Sequence, residues 1–175
     1  ASAYDDKFVI EGNSSLGDEL AERNFYAVIT PVGGGGLISG ITLGYQRINK
    51  HIQIFGAEPQ LANDAVRSLA AGRIIPNEVE PMTIADGART ISLGELNWKI
   101  IKDGVAGIFE VPDDTIADAV RLYFRLANLK CEPTGALSLG ALMLNKDRFA
   151  EKKVCLVVSG GNVDPAVYSE IISHG

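Results

Sequence analysis

Four consecutive glycines stand where an apolar run gives way to a helical pattern, in Pro31-Val32-Gly33-Gly34-Gly35-Gly36-Leu37-Ile38-Ser39-Gly40. Each glycine costs backbone entropy and brings no side chain to a core, so packing does not account for four together. Such a run lets another molecule come close to the main chain. Successive N–H groups in a glycine turn at a helix N-terminus form a nest for a phosphate, and the positive end of the helix dipole adds to the attraction. Two nucleotide motifs fit less well. A P-loop closes on Gly-Lys-Ser/Thr, whereas this loop runs into Leu37-Ile38, and a dinucleotide fold needs spaced glycines, although Glu58 does follow about 20 residues on. A flexible strand-to-helix turn remains the bland alternative. If the nest holds phosphate, a carboxylate placed in it, as in Gly35→Asp, is expected to abolish binding.

Three further groups of residues could do chemistry. Val158-Ser159-Gly160-Gly161-Asn162-Val163-Asp164 follows an apolar run, so Ser159 could offer a hydroxyl to a ligand ring or could simply cap the next helix. Cys131-Glu132-Pro133-Thr134-Gly135-Ala136 sets a carboxylate and a hydroxyl at a helix start, where capping explains them nearly as well. Glu58-Pro59, Ala62 and Asp64 put two carboxylates and a possible free carbonyl at the end of a strand. Hard oxygen donors of that kind suit Mg²⁺ or Ca²⁺, while a solvated helix start is the plainer reading. Cys131 and Cys155 follow no metal-ligand or redox spacing and read as reduced thiols, which favours a cytoplasmic setting.

The elements that must position these groups are legible as alternating patterns. Short apolar runs over 26–32, 52–57, 108–111 and 154–159 read as buried parallel strands. Between them, Leu37, Ile41, Gly44, Tyr45 and Ile48 recur at helical spacing, as do Ile116, Ala119, Val120, Tyr123, Phe124 and Ala127. Asp113 is placed to cap the latter helix. Small residues from Thr134 to Leu144 suit a third helix packed closely on a sheet. The segment 76–90, with Pro76 and Pro81, reads as a long ordered loop of the kind that tends to be functional. The stretches 13–17 and 106–107 read as strand-to-helix caps or turns without chemistry. The pattern is α/β: a three-layer parallel sheet with flanking helices.

Composition limits the partners. With 175 residues, 46% of them hydrophobic, the chain can bury one sizeable core. A net charge of −6 with scattered Lys and Arg offers little to nucleic acid or to an anionic membrane. No apolar run reaches membrane-spanning length, and the opening residues do not read as an export signal.

Taken in order, these motifs, with Tyr4-Asp5-Asp6 and Thr83-Ile84-Ala85-Asp86-Gly87, resemble the fold type II pyridoxal-phosphate (PLP) enzymes over most of the chain, from Tyr4 to Asp164. Within them the pattern is most similar to the serine racemases and the serine, threonine or hydroxyaspartate dehydratases. The resemblance implies that Gly33, Gly34, Gly35, Gly36 and Leu37 hold the PLP phosphate by backbone N–H groups and that Ser159 hydrogen-bonds the pyridine nitrogen. It implies that Gly87 and Glu132 line the ring. It implies a structural divalent metal, Mg²⁺, Ca²⁺ or Mn²⁺, on Glu58, the Ala62 carbonyl and Asp64. A neutral hydroxyl at the ring nitrogen leaves the ring a moderate electron sink, which suits β-elimination and racemisation of a small amino acid.

The same resemblance exposes a gap. The family carries its Schiff-base lysine in a Ser-x-Lys pattern, and Lys7, Lys50, Lys99, Lys102, Lys130, Lys146, Lys152 and Lys153 all lie outside such a setting. They read as solvated surface charges. The small domain that grips the substrate carboxylate is also missing from the pattern, and Ala1 stands where an initiator Met would. The expectation is therefore the C-terminal portion of a PLP-binding large domain, over residues 1–175, inactive alone and with an exposed sheet edge that favours self-association, natively as a dimer. The competing readings are a non-catalytic PLP- or phosphate-binding module and a purely structural domain.

Overall fold

The computed structural model describes residues 2–48 and 52–174; Ala1 and Lys50 lie outside them. The four expected strands are present as β1 (Ala27–Pro31), β2 (Gln53–Pro59), β3 (Gly107–Val111) and β4 (Val154–Leu156). They form one all-parallel sheet in the order β3-β2-β1-β4. The last is shorter than its apolar run, because the ladder with β1 ends at Leu156 and the chain then leaves the sheet to form the Ser159 turn.

Alternation along β1 explains the three layers. Ala27 and Ile29 face a core shared with α5 (Asp113–Ala127), α6 (Pro133–Leu144) and α7 (Pro165–Ser173). Val28 faces a second core shared with α1 (Lys7–Ala21), α2 (Gly36–Arg47), α3 (Asp64–Ala71) and α4 (Glu95–Gly104). Both faces of β1 are thus covered, as parallel strands require, and all five of its residues are buried. The 76–90 segment is a loop as expected, interrupted only by a short 3₁₀ turn at Asp86–Ala88.

Three local expectations are corrected. The stretch 13–17 is not a turn but the middle of α1. Its Gly, Asn and Ser residues are weak helix formers, and tertiary packing overrides them. A Cβ on Gly17 would stand 2.5 Å from the Ile41 carbonyl oxygen, and one on Gly44 would stand 2.5 Å from that of Ser14, so α1 and α2 touch backbone to backbone. The 106–107 stretch leads from α4 into β3, the reverse of a strand-to-helix junction. Asp113 does not cap α5, whose N-cap is Pro112. Its carboxylate accepts from Thr83 Oγ1 at 2.6 Å and from the Ile84 N–H at 3.0 Å, tying the long loop to the helix.

The α1–α2 contact gives a first testable consequence. Gly44→Val would push the helices apart, with an expected loss of about 2 kcal/mol. Thermal denaturation should show a midpoint lowered by about 4–8 °C; an unchanged midpoint would mean that the two helices are not in close contact.

Candidate functional site

Because β1 and β4 are neighbours, the glycine run after one and the Ser159 turn after the other open at the same edge of the sheet. The Val157 N–H, donating to the Ile29 carbonyl at 2.9 Å, carries the pairing past the end of the ladder. This is the edge beyond which open α/β sheets bind ligands.

Residues 33–37 rim a cleft of about 290 Å³ whose facing walls include Ala3, Tyr4, Gly87 and Thr90. Three of the glycines are constrained by geometry, and a Cβ on Gly34 would overlap the Tyr4 ring. A Cβ on Gly33 would lie 3.0 Å from the Gly87 carbonyl oxygen and 3.3 Å from Ala88 Cα. Gly35 has a φ of +95°, which L side chains rarely adopt. Gly35 is the N-cap of α2, so the turn delivers its N–H groups at a helix N-terminus. The carbonyl of Gly34 points to the α4 side, accepting from the Gly94 N–H at 3.0 Å and from Asn97 Nδ2 at 2.8 Å. Thr90 lines the cleft with its Cγ2 3.6 Å from a Cβ placed on Gly33, and its Oγ1 is buried without a hydrogen-bond partner, an orphaned polar atom at the rim of the nest. These observations fit a phosphate. They also move the informative substitution: a Cβ on Gly35 would meet Ile101, Asn97 and Leu93 on the α4 side, so Gly33, not Gly35, is the position whose side chain would enter the cleft.

Across the cleft, the Gly87 N–H donates to Thr134 Oγ1 at 3.0 Å. Gly135 packs on Gly160, where a Cβ would come within 2.8 Å of the Gly160 carbonyl oxygen, and the Glu132 N–H donates to that oxygen at 3.1 Å. A chain of contacts thus leads from Gly33 and Gly87 in the cleft through Thr134 and the Glu132 helix start to Gly160, beside Ser159. Glu132 is the N-cap of α6 but makes no side-chain capping bond, so its carboxylate is not spent on the helix. Burial, with the charge of Asp86 adding to it, pushes its pKa up. Ser159 is exposed and caps nothing, since Asp164 caps α7 through the Ala166 and Val167 N–H groups. Neither the Glu132 carboxylate nor the Ser159 hydroxyl caps a helix.

Glu58 and Asp64 lie apart from this cleft, at the end of β2 and the start of α3, each 1% exposed. Glu58 accepts from the Ala65 N–H at 3.1 Å and the Val66 N–H at 2.7 Å. Asp64 accepts from Asn77 Nδ2 at 3.1 Å and the Leu93 N–H at 2.9 Å. Burial pushes Glu58 up to about 8, with the charge of Asp64 adding to it, and pushes Asp64 up to about 6. A solvated helix start is excluded by this burial. Among the described residues no group of three His, Cys, Asp or Glu side chains could enclose a metal ion, so a cation here would rely on these two carboxylates and main-chain oxygen. Each carboxylate oxygen that accepts one N–H keeps a second lone pair, and the donor set is compatible with a hard divalent ion.

The described lysines are all exposed, and none lines the cleft. Sequence reasoning passed over Thr134, taken only as part of a cap, and gave no role to Tyr4, Thr90 and Asn97. The first carried a signal in the Glu-Pro-Thr-Gly run; the others acquire their places only through the fold.

Known proteins resemble this chain over most of its length. A beta-hydroxyaspartate dehydratase of Paracoccus denitrificans is 38% identical over 92% of this chain and 51% of its own length. A serine racemase of Dictyostelium discoideum is 39% identical over 97% of this chain and 54% of its own. The crystal structure of a T.th. threonine deaminase superposes with a TM-score of 0.88 at 40% identity, over 92% of this chain and 54% of that one. The chain thus spans about half the length of the relatives it matches. No helix among the described residues is long and apolar enough to cross a membrane. A family model described as pyridoxal-phosphate dependent enzyme matches residues 1–160, and with it the glycine cradle, the Gly87 turn and the Glu132 helix start all fall within that family, to which the chain belongs.

Proposed function

We propose that this chain is the cofactor-cradling, C-terminal portion of the large domain of a PLP-dependent ammonia-lyase or racemase acting on a small amino acid such as serine, threonine or hydroxyaspartate. The observation that carries the reading is the cleft in which a Cβ on Gly33 would crowd the Gly87 carbonyl oxygen at 3.0 Å while the Oγ1 of Thr90, a lining residue, has no hydrogen-bond partner. PLP, when bound, supplies the electron sink that makes the α-proton and β-substituent of an amino acid labile. In this reading the N–H groups of Gly33, Gly34, Gly35, Gly36 and Leu37 hold its phosphate. The Ser159 hydroxyl bonds the ring nitrogen, while Gly87 and Glu132 bound the ring. Glu58, the Ala62 carbonyl and Asp64 hold Mg²⁺, Ca²⁺ or Mn²⁺ and brace the α3 end of the cofactor's layer. The lysine half of the site and the substrate-gripping domain belong to the rest of the enzyme. A dimeric, cytoplasmic enzyme is the accompanying expectation.

A second reading, a PLP- or phosphate-binding module without catalysis, is favoured by one observation: no lysine among the described residues lines the cleft. A single titration serves both. Added PLP should bind saturably, be displaced by inorganic phosphate and leave no specific lysine adduct after borohydride. A stoichiometric adduct on one lysine would identify a cofactor lysine in this chain and would exclude the binding module, whereas absence of binding would overturn both readings.

A further inference from the structure

We propose that Asn97 is a positioning residue for the anion cradle: from α4 it holds the carbonyl of Gly34 and thereby turns the N–H of Gly35 toward the cleft. The inference rests on the phosphate reading above and adds to it the group that shapes the nest.

Asn97 is fully buried, and it shares the inward face of α4 with Ile101. An amide in such a place costs free energy unless it is hydrogen-bonded, and a leucine would fill the space without that cost. What the amide does there is specific. Its Nδ2 donates to the Gly34 carbonyl at 2.8 Å and to the Tyr4 carbonyl at 2.9 Å, while Oδ1 has no partner. Both useful bonds therefore go to main-chain oxygens of the cradle and of Tyr4, which lines the same cleft. The main-chain carbonyl of Asn97 in turn accepts from Ser39 Oγ of α2 at 3.4 Å.

A trans peptide is planar, with C=O and N–H pointing in opposite directions. Two donors on the α4 side, Asn97 Nδ2 and the Gly94 N–H, fix the Gly34 oxygen, so the N–H of Gly35 faces the other way. With glycine on both sides of this peptide, little else prevents it from flipping and presenting an oxygen to an anion. The anchor is itself secured. The Asp5 carboxylate accepts from the N–H groups of Glu95 at 3.0 Å, Leu96 at 2.9 Å and Asn97 at 3.3 Å, pinning the first turn of α4 from the solvent side. Donors fixed before an anion arrives need no reorganisation to bind it, which is the condition under which they contribute most.

The test uses inorganic phosphate as the probe, with its affinity measured by calorimetry and the Gly35 amide followed by ¹H–¹⁵N NMR. In the wild-type chain phosphate should move the Gly35 amide proton downfield. In Asn97→Leu, a packing-compatible change, the fold should persist while phosphate affinity drops about ten-fold and the Gly35 shift is lost. A folded Asn97→Leu variant with wild-type affinity and a wild-type Gly35 response would overturn the proposal. If that variant does not fold, Asp5→Ala, which frees the first turn of α4 from the exposed side, is expected to weaken phosphate about three-fold and to reduce the same shift; no change in either would equally overturn it. Failure of the wild-type chain to bind phosphate is a different result, and it would remove the phosphate reading itself.

Discussion

Gly33→Asp is expected to reduce phosphate and PLP affinity by at least about 100-fold, a loss that close like-charge repulsion readily supplies. The side chain would start at a Cβ 3.0 Å from the Gly87 carbonyl oxygen and project into the cleft, setting a carboxylate where the phosphate is to sit. Gly33→Ala separates charge from crowding: it keeps the steric contact with Gly87 and adds no charge, so a loss of about ten-fold is expected. Equilibrium dialysis with PLP, together with circular dichroism to confirm the fold, measures both. Retention of wild-type affinity in a folded Gly33→Asp protein would place the phosphate elsewhere.

The second large effect concerns the buried acids. Glu58→Ala removes the acceptor of the buried Ala65 N–H and the partly buried Val66 N–H. An orphaned buried donor costs about 1–3 kcal/mol, so a combined loss of about 3 kcal/mol is expected, or a melting midpoint lowered by about 6–12 °C. The pH dependence has a defined sign. Glu58 titrates near 4.5 in the unfolded chain and near 8 in the folded one, so between these values the folded state binds more protons. Without divalent ions the contribution of Glu58 to stability is greatest below about pH 4.5, falls as the pH rises, and is lost above about pH 8. Asp64 acts in the same direction between 3.8 and about 6. Glu58→Gln should flatten the slope between pH 5 and 8, roughly the window over which Glu58 loses its proton. A divalent ion competes with those protons, so Mg²⁺ or Mn²⁺ should raise the wild-type melting midpoint more at pH 8 than at pH 6. A flat wild-type profile over the same window would show that Glu58 is ionised throughout.

How much of this was legible beforehand depended on how far each feature was local. The strands announced themselves because both faces are covered, leaving runs such as 154–158 that are almost wholly apolar. The glycine run was visible because nothing about packing asks for it. The helix over 13–17 was hidden: its glycine lowers helix propensity but is required by a helix more than twenty residues further along the chain, a partner that local pattern does not reveal. Asp113 misled for the same reason. It occupies a capping neighbourhood in sequence, yet its bonds go to Thr83 and Ile84 on a distant loop. Thr90 and Asn97 are ordinary polar residues until the fold buries them against the cradle.

The strand order has a consequence for how the site comes into being. β1 pairs on one side with β2, which follows it closely, and on the other with β4, so that Ala27 meets Val154, separated from it by two other strands and most of the helices. On a ribosome the glycine turn and its neighbours through β3 can assemble early, but the Ser159 turn arrives only after α5 and α6 have also emerged. Pairings of such long sequence separation are slow to form. Until then β1 waits with one edge unpaired, a nascent state suited to capture by a chaperone or by a strand of another molecule.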